Sequence, residues 1–408
     1  MAKSYRFDVT IIGSGIAGSA LAVALGGKGL SIGLVEAQSL GDALAATEPA
    51  EALVVSDFDA RVSALTPRSQ SFLDNIGAWD DIIRQRVCPY SHMTVWDAEG
   101  TGSIEFDCAE VDVPVLGHIV ENRVIVASVL QQVSNCSDIT VLSPVTLESC
   151  ATLESGGARV QLEGGASIET DLLVAADGAM SRVRTMLNFD TREWDYGHSA
   201  LVTTVETEQP HQATAWQRFL PSGPLAFLPL PGARDRHFCS IVWSLTDSAL
   251  EGLLAMPADE FCAELETAFE KRLGAVLACA SRFAFPLRQR HAVDYVKPGV
   301  ALVADAAHTI HPLAGQGINL GLADVAVLAQ EILAGRERGA KPGQLQLLKR
   351  YQRQRKSENL LMMAAMDGFK ALFEQTSLPI RLLRNAGMRG VSQLGPVKAQ
   401  LMHRAMGL

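Results

Sequence analysis

Three separate stretches of the chain carry glycine, acidic and amide residues at spacings that suit the binding of phosphates and sugars. The first is Gly13-Ser-Gly15-Ile-Ala-Gly18, which follows an apolar run and opens an apolar helical pattern. In such a segment Gly13 permits a tight turn, Gly15 lets the backbone meet a pyrophosphate, and Gly18 lets the helix pack closely on the strand. Glu36 ends the next apolar run, roughly 20 residues later, where a carboxylate can bind both hydroxyls of an adenosine ribose. The segment therefore predicts a site for FAD or NAD rather than for NADP.

The second stretch is the pair Asp177-Gly178, which ends an apolar run that begins at Leu172. Ser181 follows as a candidate N-cap for a short helix whose first turn carries arginine. An Asp-Gly pair by itself indicates only a turn or a hairpin. In the company of the first stretch, it indicates a second loop at the same ligand.

The third stretch covers residues 300–325. Val300 to Val303 is apolar and β-prone, Asp305 can accept a hydrogen bond from a sugar hydroxyl, and residues 308–316 are too polar and too kinked for regular structure. Gly315 and Gly317 lack a Cβ, so backbone amides there can approach a flat or anionic ligand at the start of the next helix. This order of strand, loop and helix predicts a ligand site at the carboxyl end of a strand.

In this order, the three motifs resemble the fingerprint of the single-component (class A) FAD-dependent aromatic hydroxylases. The stretch from His308 to Gly321 is similar to the signature of the ubiquinone-biosynthesis hydroxylase branch of that family. Further similarity at 116–122, 194–198, 225–230, 239–245 and 397–408 extends the resemblance over nearly the whole chain. Ala304 departs from the pattern, because the family usually has glycine before the aspartate, and its methyl group can crowd the cofactor.

The resemblance implies an α/β fold like that of para-hydroxybenzoate hydroxylase. In this fold a Rossmann-like FAD-binding domain is interleaved with an antiparallel-sheet substrate domain and is followed by a helical C-terminal segment. We expect the first part of the FAD-binding domain at 1–190, with an excursion into the substrate domain near 85–115. The substrate domain is expected at 191–290, the return of the FAD-binding domain at 291–345, and the helical segment at 346–408. Alternating apolar and polar residues between 194 and 290 also predict an antiparallel sheet.

The resemblance also implies which residues bind FAD. Besides the glycine-rich segment and Glu36, they are two arginines, two aspartates and the residues around the start of the last helix in the third motif: Arg61, Arg123, Asp177, Asp305, Gly315, Gln316, Gly317, Ile318 and Asn319. Arg61 would lie on the flavin side of the pocket, and Arg123 could bind pyrophosphate oxygens, with a plain surface position as the alternative for either. Only one glycine-rich dinucleotide motif is present, so NAD(P)H is expected to bind transiently as a cosubstrate.

The implied chemistry is hydride transfer from NAD(P)H to FAD, activation of O2 at carbon 4a of the flavin, and transfer of one oxygen atom to an electron-rich phenol. The resemblance places Pro312 against the flavin face, where a backbone carbonyl can accept the hydrogen bond of the phenol. His311 would fix the loop, and a general-base role for His308 or His311 is the alternative. The chain offers no metal-ligand spacing.

Apolar side chains in the predicted sheet are candidates for the wall of a hydrocarbon-accepting cavity. Leu225, Phe227 and Trp243 are the residues predicted to bind substrate, and Leu228 is a further candidate for this wall. Packed sheet core is the alternative for all four.

Composition fits a globular enzyme of the cytoplasm. The 408 residues are 48% hydrophobic and 20% charged, which is enough for a large core. A net charge of −10 argues against a nucleic-acid partner. The seven cysteines are scattered and include no Cys-x-x-Cys pair, which indicates reduced thiols. No signal peptide is apparent, and no uninterrupted apolar run reaches the roughly 18 residues of a membrane span.

The C-terminal segment reverses the overall charge. Residues 377–408 contain no acidic residue, whereas they carry Arg381, Arg384, Arg389, Lys398 and Arg404 among many apolar side chains. Such a segment can lie on an anionic membrane surface, dock a partner, or pack on its own domain with its arginines outward. The inner face of the membrane, a ubiquinone-biosynthesis complex and a homo-oligomer are therefore candidate partners.

These features together predict an FAD-dependent monooxygenase that hydroxylates the ring of a polyprenylphenol in ubiquinone biosynthesis, with O2 and NAD(P)H. The first alternative is a sibling hydroxylase for a later, methylated ubiquinone intermediate or for a small phenol. The second is an FAD-binding assembly subunit of a lipid-biosynthesis complex, with little turnover.

Overall fold

The computed structural model describes residues 3–41, 53–154, 156–233, 235–309, 317–375 and 377–407. The strands are β1 Ser4–Ile12, β2 Ile32–Val35, β3 Val62–Leu65, β4 Cys88–Tyr90, β5 His92–Asp97, β6 Ser103–Asp107, β7 Gly117–Glu121, β8 Ile139–Leu142, β9 Leu147–Thr152, β10 Ala158–Leu162, β11 Ser167–Ala175, β12 Thr191–Thr207, β13 Thr214–Leu220, β14 Gly223–Ala233, β15 Arg236–Thr246, β16 Val276–Cys279, β17 Phe283–Ala292, β18 Val296–Lys297, β19 Val300–Leu302 and β20 His308–Thr309. The helices are α1 Ile16–Leu25, α2 Pro67–Asn75, α3 Trp79–Gln85, α4 Asn122–Ser134, α5 Arg182–Met186, α6 Asp247–Ala255, α7 Ala258–Ala268, α8 Gly317–Glu337, α9 Leu345–Glu374, α10 Leu378–Gln393 and α11 Gly395–Met406.

The first sheet is mainly parallel and holds all three motifs. Its strand order is β18-β19-β11-β1-β2-β8, and β9 and β10 extend it beside β11. Strand β1 pairs in parallel with β2 and β11, and β11 pairs in parallel with β19. The carboxyl ends of these strands share one edge, so the loops after β1, β2, β11 and β19 emerge side by side. The apolar strands β1, β11 and β19 and the helices α1, α4 and α8 form one core cluster around this sheet.

The second sheet contains the strands predicted from the alternating pattern. Strand β12 pairs antiparallel with β15 and β17, β14 pairs with β13 and β15, and the prediction of an antiparallel sheet is confirmed. Strands β5 and β6 join its edge through a parallel pairing of β5 with β13. Helices α6 and α7 cover one face, where they bury a second core cluster with side chains of the sheet. The opposite face is therefore left for a ligand.

Helix α8 is the one helix of the described ranges that is long and apolar enough to cross a membrane by length and composition. Its apolar sequence contains polar residues such as Asn319 and Asp324, and both of these side chains are buried. Its apolar residues, including Leu328 and Ile332, belong to the core cluster of the first sheet. A core helix passes the same test of length and composition, and α8 is packed as a core helix.

The basic C-terminal segment packs on the edge of the second sheet. The guanidinium of Arg384 lies 2.6 Å from Asp97 Oδ2, and both side chains are 1% exposed. Asn385 Nδ2 donates to the same carboxylate at 3.0 Å, and Lys398 donates to Glu110 at 2.5 Å. Packing on its own domain was one of the alternatives, but the expectation of outward arginines is wrong for Arg384. Three of the five basic side chains pair with acids of the second-sheet region, since Arg381 also lies 3.4 Å from Glu99.

Removal of the buried Arg384 guanidinium is expected to destabilise the docking of α10. In Arg384→Met, Asp97 stays buried without its charge partner, which costs on the order of 3–5 kcal/mol. The exposed Arg389→Met variant is the matched control and should change the free energy of unfolding by less than about 0.5 kcal/mol. Denaturant unfolding and limited proteolysis of the C-terminal segment measure both effects. Equal behaviour of the two variants would show that the ion pair contributes nothing to docking.

Candidate active site

The glycine-rich segment forms a tight connection between β1 and α1. Gly13 has a φ of +101°, and a Cβ added there would lie 2.5 Å from the carbonyl oxygen of Ala176. A Cβ at Gly18 would lie 1.9 Å from the carbonyl oxygen of Gly13. A Cβ at Gly15 would meet nothing within 4 Å, because this residue faces a large cavity. Packing therefore requires glycine at positions 13 and 18, while the backbone at Gly15 is open to a ligand.

Glu36 is fixed at the end of β2, next to this segment. Its Oε2 accepts hydrogen bonds from the backbone N and the Oγ of Ser14, both at 2.8 Å, and its Oε1 accepts one from Gln38 N at 2.9 Å. Burial is the largest single effect and raises the pKa of Glu36, but the hydrogen bonds from Gln38 and Ser14 outweigh it and lower the pKa overall. The ionised carboxylate beside the β1–α1 turn has the chemistry of a ribose acceptor.

Asp177 caps helix α5. Its Oδ2 accepts hydrogen bonds from Arg182 N at 2.8 Å and Val183 N at 3.2 Å, and the predicted N-cap Ser181 accepts one from Arg184 N at 3.0 Å. Asp177 itself does not line the cavity, although Ala176, Gly178 and Ala179 do. The buried Oδ1 of Asp177 has no hydrogen-bond partner within the part of the chain that is described. The Asp-Gly motif thus contributes backbone to the cavity wall and leaves one carboxylate oxygen unsatisfied.

Arg184 joins the second motif to the third. Its buried guanidinium donates to the carbonyl oxygens of Ala306 at 2.9 Å and Ala179 at 2.7 Å. The two loops are therefore held together by side-chain hydrogen bonds between β11 and β19, as well as by the pairing of these strands.

Asp305 and Arg61 both line the cavity. The Asp305 side chain is open to the cavity although protein atoms surround it on most sides. Burial raises the pKa of this carboxyl group, and the positive charges of His308 and Arg61 oppose the rise. The guanidinium of Arg61 lies 5.8 Å from the ring centroid of Phe285 on the second sheet. The predicted cofactor residues Asp305 and Arg61 are thus brought to one cavity.

Arg123 also reaches the cavity, at the start of α4. Its Nη2 lies 2.9 Å from Glu121 Oε1, and 45% of the side chain is exposed. The buried Glu121 is also paired with Arg86 at 2.9 Å. Glu121 therefore holds Arg123 in place without removing its charge from the cavity rim.

The predicted residues at the beginning of α8 have two different roles: some line the cavity and one attaches the helix to its neighbours. Gly317 and Ile318 line the cavity. Asn319 does not: its Oδ1 accepts hydrogen bonds from Thr66 N at 3.0 Å and Ser69 Oγ at 2.7 Å, and its Nδ2 donates to Ala64 O at 2.8 Å. Asn319 thus fastens α8 to β3 and α2.

Four predicted residues, His311, Pro312, Gly315 and Gln316, lie outside the described residues. The residues that flank this segment, Thr309 and Gly317, both line the cavity.

One cavity of about 1720 Å³ is lined by six of the predicted cofactor residues, which are Gly15, Arg61, Arg123, Asp305, Gly317 and Ile318. At one end it is bounded by the motif loops, represented by Gly15, Gly178 and Ala304. One wall is the open face of the second sheet. The other end is bounded by β5, β6, the end of β13 and the C-terminal helices, whose lining side chains are mostly apolar: Met93, Ile104, Phe106, Phe219, Met388, Leu401 and Met402.

The loop end of the cavity fits a flavin dinucleotide. Open backbone at Gly15 before the N-terminus of α1 suits a pyrophosphate. The ionised Glu36 does not itself line the cavity, but it binds Ser14 beside Gly15, and its carboxylate has the chemistry that a ribose diol requires. Arg61 and Arg123 provide positive charge at the cavity. Asp177, next to the cavity-lining Gly178, has one buried oxygen without a hydrogen-bond partner among the described residues.

Comparison with known proteins agrees with this fit. Residues 6–364 match the FAD binding domain family. The chain belongs to this family of flavin-dependent monooxygenases. It is 36% identical over 401 residues to 3-demethoxyubiquinol 3-hydroxylase of Escherichia coli (strain K12), and the alignment covers 98% of each of the two chains. It is 38% identical over 400 residues to the ubiquinone hydroxylase UbiL of Rhodospirillum rubrum, covering 98% of this chain and 89% of that protein.

A solved structure supports the fold of this flavin monooxygenase. The structure of pqsL, described as a probable FAD-dependent monooxygenase from Pseudomonas aeruginosa, superposes with a TM-score of 0.78 at 20% identity. The match covers 94% of this chain and 100% of that chain. The expected para-hydroxybenzoate hydroxylase-like α/β fold is confirmed.

The side chains predicted to bind substrate lie on the other face of the second sheet. Leu225 and Phe227 are fully buried, Trp243 is 4% exposed, and all three belong to the core under α6 and α7. Phe227 stacks on Phe269 with ring centroids 3.7 Å apart. Successive side chains of a strand point to opposite faces, so the cavity receives the neighbours of the predicted residues. The structure thus corrects the substrate-wall prediction for these three residues in favour of its alternative, packed sheet core, whereas the candidate Leu228 lines the cavity.

Most of the residues that line the sheet wall are smaller or more polar than Leu225, Phe227 and Trp243. The wall includes Ala200, Val202, Ala215, Gln217, Ala226, Leu228, Val242, Ser244, Phe285 and Leu287. Gln217 and Ser244 are the residues on this wall that offer neutral hydrogen-bonding groups. The alternation of side chains along each strand separates the residues of the two faces. The cavity-lining set could be chosen from them only with the knowledge of which face α6 and α7 cover.

A buried polar network that the sequence does not predict lies under the third motif. Asp324 on α8 is fully buried, with His308 Nε2 at 2.5 Å from its Oδ2 and Arg355 Nε at 2.8 Å from its Oδ1. Burial alone would raise the pKa of Asp324, but His308 and Arg355 lower it. Because the buried His308 does not line the cavity, its place favours a structural role over a general base. The His–Asp spacing of sixteen residues gives no local signal for the pair.

The same carboxylate holds the residue that departs from the family pattern. Ala304 has a φ of +53°, a left-handed conformation that favours glycine. Its backbone N donates to Asp324 Oδ2 at 3.0 Å. Gly321 on α8 makes room for the methyl group, since a Cβ at Gly321 would lie 2.8 Å from the Ala304 Cβ. The methyl group is therefore tolerated at the cost of backbone strain.

Adjacent residues on β14 should separate cavity effects from core effects. Ala226→Phe places a ring in the cavity, so we expect the KM for the aromatic substrate to rise about tenfold or more with little change in stability. Phe227→Ala removes a core ring, so it should lower the free energy of unfolding by about 3–5 kcal/mol. Steady-state kinetics and denaturant unfolding of both variants test the assignment of faces. Similar stability losses in the two variants would contradict it.

Stability is expected to fall as the pH drops from 6.5 towards 4. Burial and the nearby charge of His308 lower the pKa of His291 to about 4, and its Nε2 lies 2.9 Å from the Tyr295 hydroxyl. The unfolded chain therefore binds more protons than the folded chain in this window, and His291 contributes a loss of up to about 1.4 kcal/mol per pH unit. The free energy of unfolding, measured by denaturant at several pH values, should depend less steeply on pH for His291→Gln than for the wild type. Equal slopes would exclude His291 as a source of the dependence.

Ala304→Gly is expected to stabilise the protein. Relief of the left-handed strain gains about 1–2 kcal/mol, and the greater freedom of the unfolded chain offsets about 0.4–1 kcal/mol of it. The net gain should be about 0.5–1 kcal/mol in denaturant unfolding of the FAD-loaded protein. Ala301→Gly in the middle of β19 is the control and should lose at least about 0.5 kcal/mol. A loss in Ala304→Gly as well would refute the strain.

Proposed function

We propose that this monooxygenase hydroxylates the aromatic ring of a polyprenylated ubiquinone precursor, with NAD(P)H and O2 as cosubstrates. The observation that carries the proposal is the continuity of the cavity, which runs from the cofactor motifs along the open sheet face to an apolar end. A phenol ring with a long hydrocarbon substituent has the same distribution of polarity. A small phenol would leave the apolar end unused.

We assign FAD to the carboxyl edge of the first sheet, within residues 1–190 and 291–345. The substrate is assigned to the second sheet, within 191–290 and the excursion near 85–115. When bound, FAD supplies the redox chemistry, which is acceptance of hydride and activation of O2. Gly15, Glu36, Arg123 and Arg61 are proposed to bind its polar groups, with Asp305 at a sugar hydroxyl.

The protein side chains orient the phenol and exclude water. We assign to Gln217 and Ser244 hydrogen bonds with oxygen atoms of the ring, because both face the cavity from the sheet. Pro312 is proposed to accept the phenol's hydrogen bond through its carbonyl oxygen, and His311 is proposed to fix that loop. The apolar wall formed by Val202, Val242 and Leu287 keeps water from the reacting ring.

Two ring substrates are candidates. The first is 2-polyprenylphenol, which suits the apolar end of the cavity. The second is a later, methylated intermediate, favoured by the 36% identity to a protein named for its action on 3-demethoxyubiquinol. A cytoplasmic location, contact with the membrane, membership of a biosynthetic complex and a homo-oligomer remain predictions.

The test is substrate-stimulated oxidation of NAD(P)H by the FAD-loaded protein, with O2 uptake and mass spectrometry of the product. A prenylated phenol, a demethoxyubiquinol analogue and an unsubstituted phenol are compared. We expect one of the two prenylated substrates to gain one oxygen atom. Retention of FAD without stimulated oxidation by any substrate would instead indicate an assembly subunit. In cells lacking the gene, the quinone intermediate that accumulates distinguishes the two ring substrates.

Gln217→Leu should weaken binding of the phenol. Loss of one hydrogen bond of about 1–1.5 kcal/mol corresponds to an increase in KM of roughly tenfold. Gln209→Leu, at an exposed position that follows β12, is the matched control and should leave KM unchanged. Steady-state kinetics with the active substrate measure both. An unchanged KM in Gln217→Leu would remove this residue from the proposed site.

A further inference from the structure

Two exposed leucines of the C-terminal helices line the apolar end of the cavity. Leu383 on α10 and Leu401 on α11 line the cavity. The same two side chains are 71% and 44% exposed to solvent. They therefore form the rim of an opening at the apolar end, away from the cofactor motifs.

Exposed apolar side chains continue outward from this rim. Leu382 is 62% exposed, Leu394 is 55% exposed and Val397 is 45% exposed, and none of the three lines the cavity. Leu361 and Leu372 on α9 are exposed as well. We call Leu382, Leu394 and Val397, together with the rim, the outer face of α10 and α11. Exposed apolar side chains that are gathered on two neighbouring helices in this way are typical of an interaction site.

The charge of the outer face is positive. Residues 377–407 contain no acidic side chain. Arg381, Arg384 and Lys398 are paired with acids of the second-sheet region. Arg389 and Arg404 are exposed and form no ion pair with a described residue. The unpaired arginines among exposed leucines are complementary to an anionic lipid surface.

The fold holds this apolar face outward. On the inner side of the two helices, Met402 and Met406 pack with Leu116 in a small core, and Arg384 binds the buried Asp97. The inner and outer sides are thus both defined, and rotation of the helices to hide the leucines would break the buried ion pair.

We propose that the outer face of α10 and α11 docks on an anionic membrane surface and that the prenyl chain of the substrate passes between these helices from the bilayer into the cavity. This inference rests on the proposed function, because it takes a prenylated substrate as given. Docking places the opening at the lipid, so the hydrocarbon chain need not cross water. The apolar end of the cavity then receives the chain while the ring moves towards the cofactor motifs.

The test uses the full-length FAD-loaded protein and the double variant Leu382→Glu/Leu394→Glu. Co-sedimentation is measured with vesicles of phosphatidylcholine alone and of phosphatidylcholine mixed with phosphatidylglycerol. We expect the wild type to bind the anionic vesicles. The affinity of the double variant should be at least about tenfold lower, because two apolar contacts are replaced by charges that anionic lipid repels. Ile83→Glu, an exposed position on α3 that is 51% exposed, is the matched control and should bind like the wild type.

Activity separates failure of docking from failure of the proposed function. With prenylated substrate in vesicles the double variant should lose activity in proportion to binding, whereas with the same substrate dispersed in detergent it should match the wild type. Absence of turnover in detergent for all proteins would reject the proposed function. Turnover in detergent without vesicle binding by the wild type would overturn docking alone. A wild-type dimer in light scattering that dissociates in the double variant would also overturn it, since the face would then bind a second copy.

Discussion

The buried carboxylate of Asp324 is the interaction on which the cofactor side of the molecule depends. One oxygen accepts a hydrogen bond from the backbone N of Ala304 and lies beside His308. The other oxygen accepts a hydrogen bond from Arg355 on α9. Asn359 on α9 extends the network to Tyr295 and from there to His291. A charged group this deep is stable only when its partners are all present. Helix α8, helix α9 and the loop after β19 are thereby fixed relative to one another, and Asp305 is held towards the cavity.

The cavity follows from the way the two sheets share the chain. The parallel sheet ends in loops at one edge, and the second sheet has helices on only one face. Its other face closes over those loops, so glycine backbone and charged groups lie at one end and apolar side chains lie along the wall. Hydride and oxygen chemistry by a flavin requires a site shielded from water. The structure provides that shielding by placing the reacting region between two sheets.

The C-terminal helices line the far end of the same cavity. Their positive charge is used in two ways: Arg384 and Lys398 bind acids of the protein, and Arg389 and Arg404 remain at the surface. The net positive composition of the segment therefore does not by itself describe a membrane-binding surface. The inner charges fix the helices, and only the outer side is available to a partner.

The sequence by itself determined the parallel strands, the glycine-rich turn, Glu36, the Asp-Gly loop and the antiparallel sheet. These features are local, since the spacing of apolar residues and glycines reports on strands and turns a few residues long. It also identified Ala304 as a departure from the family pattern. The tertiary structure decided which face of the second sheet meets the cavity. The alternation of residues along the strands does not distinguish the two faces, and only the packing of α6 and α7 on one of them does. It also decided that Asn319 binds β3 and α2, that Asp177 caps α5, and that Arg384 points inward. Each of these depends on partners distant in sequence, and the periodicity of a single chain carries no information on such contacts.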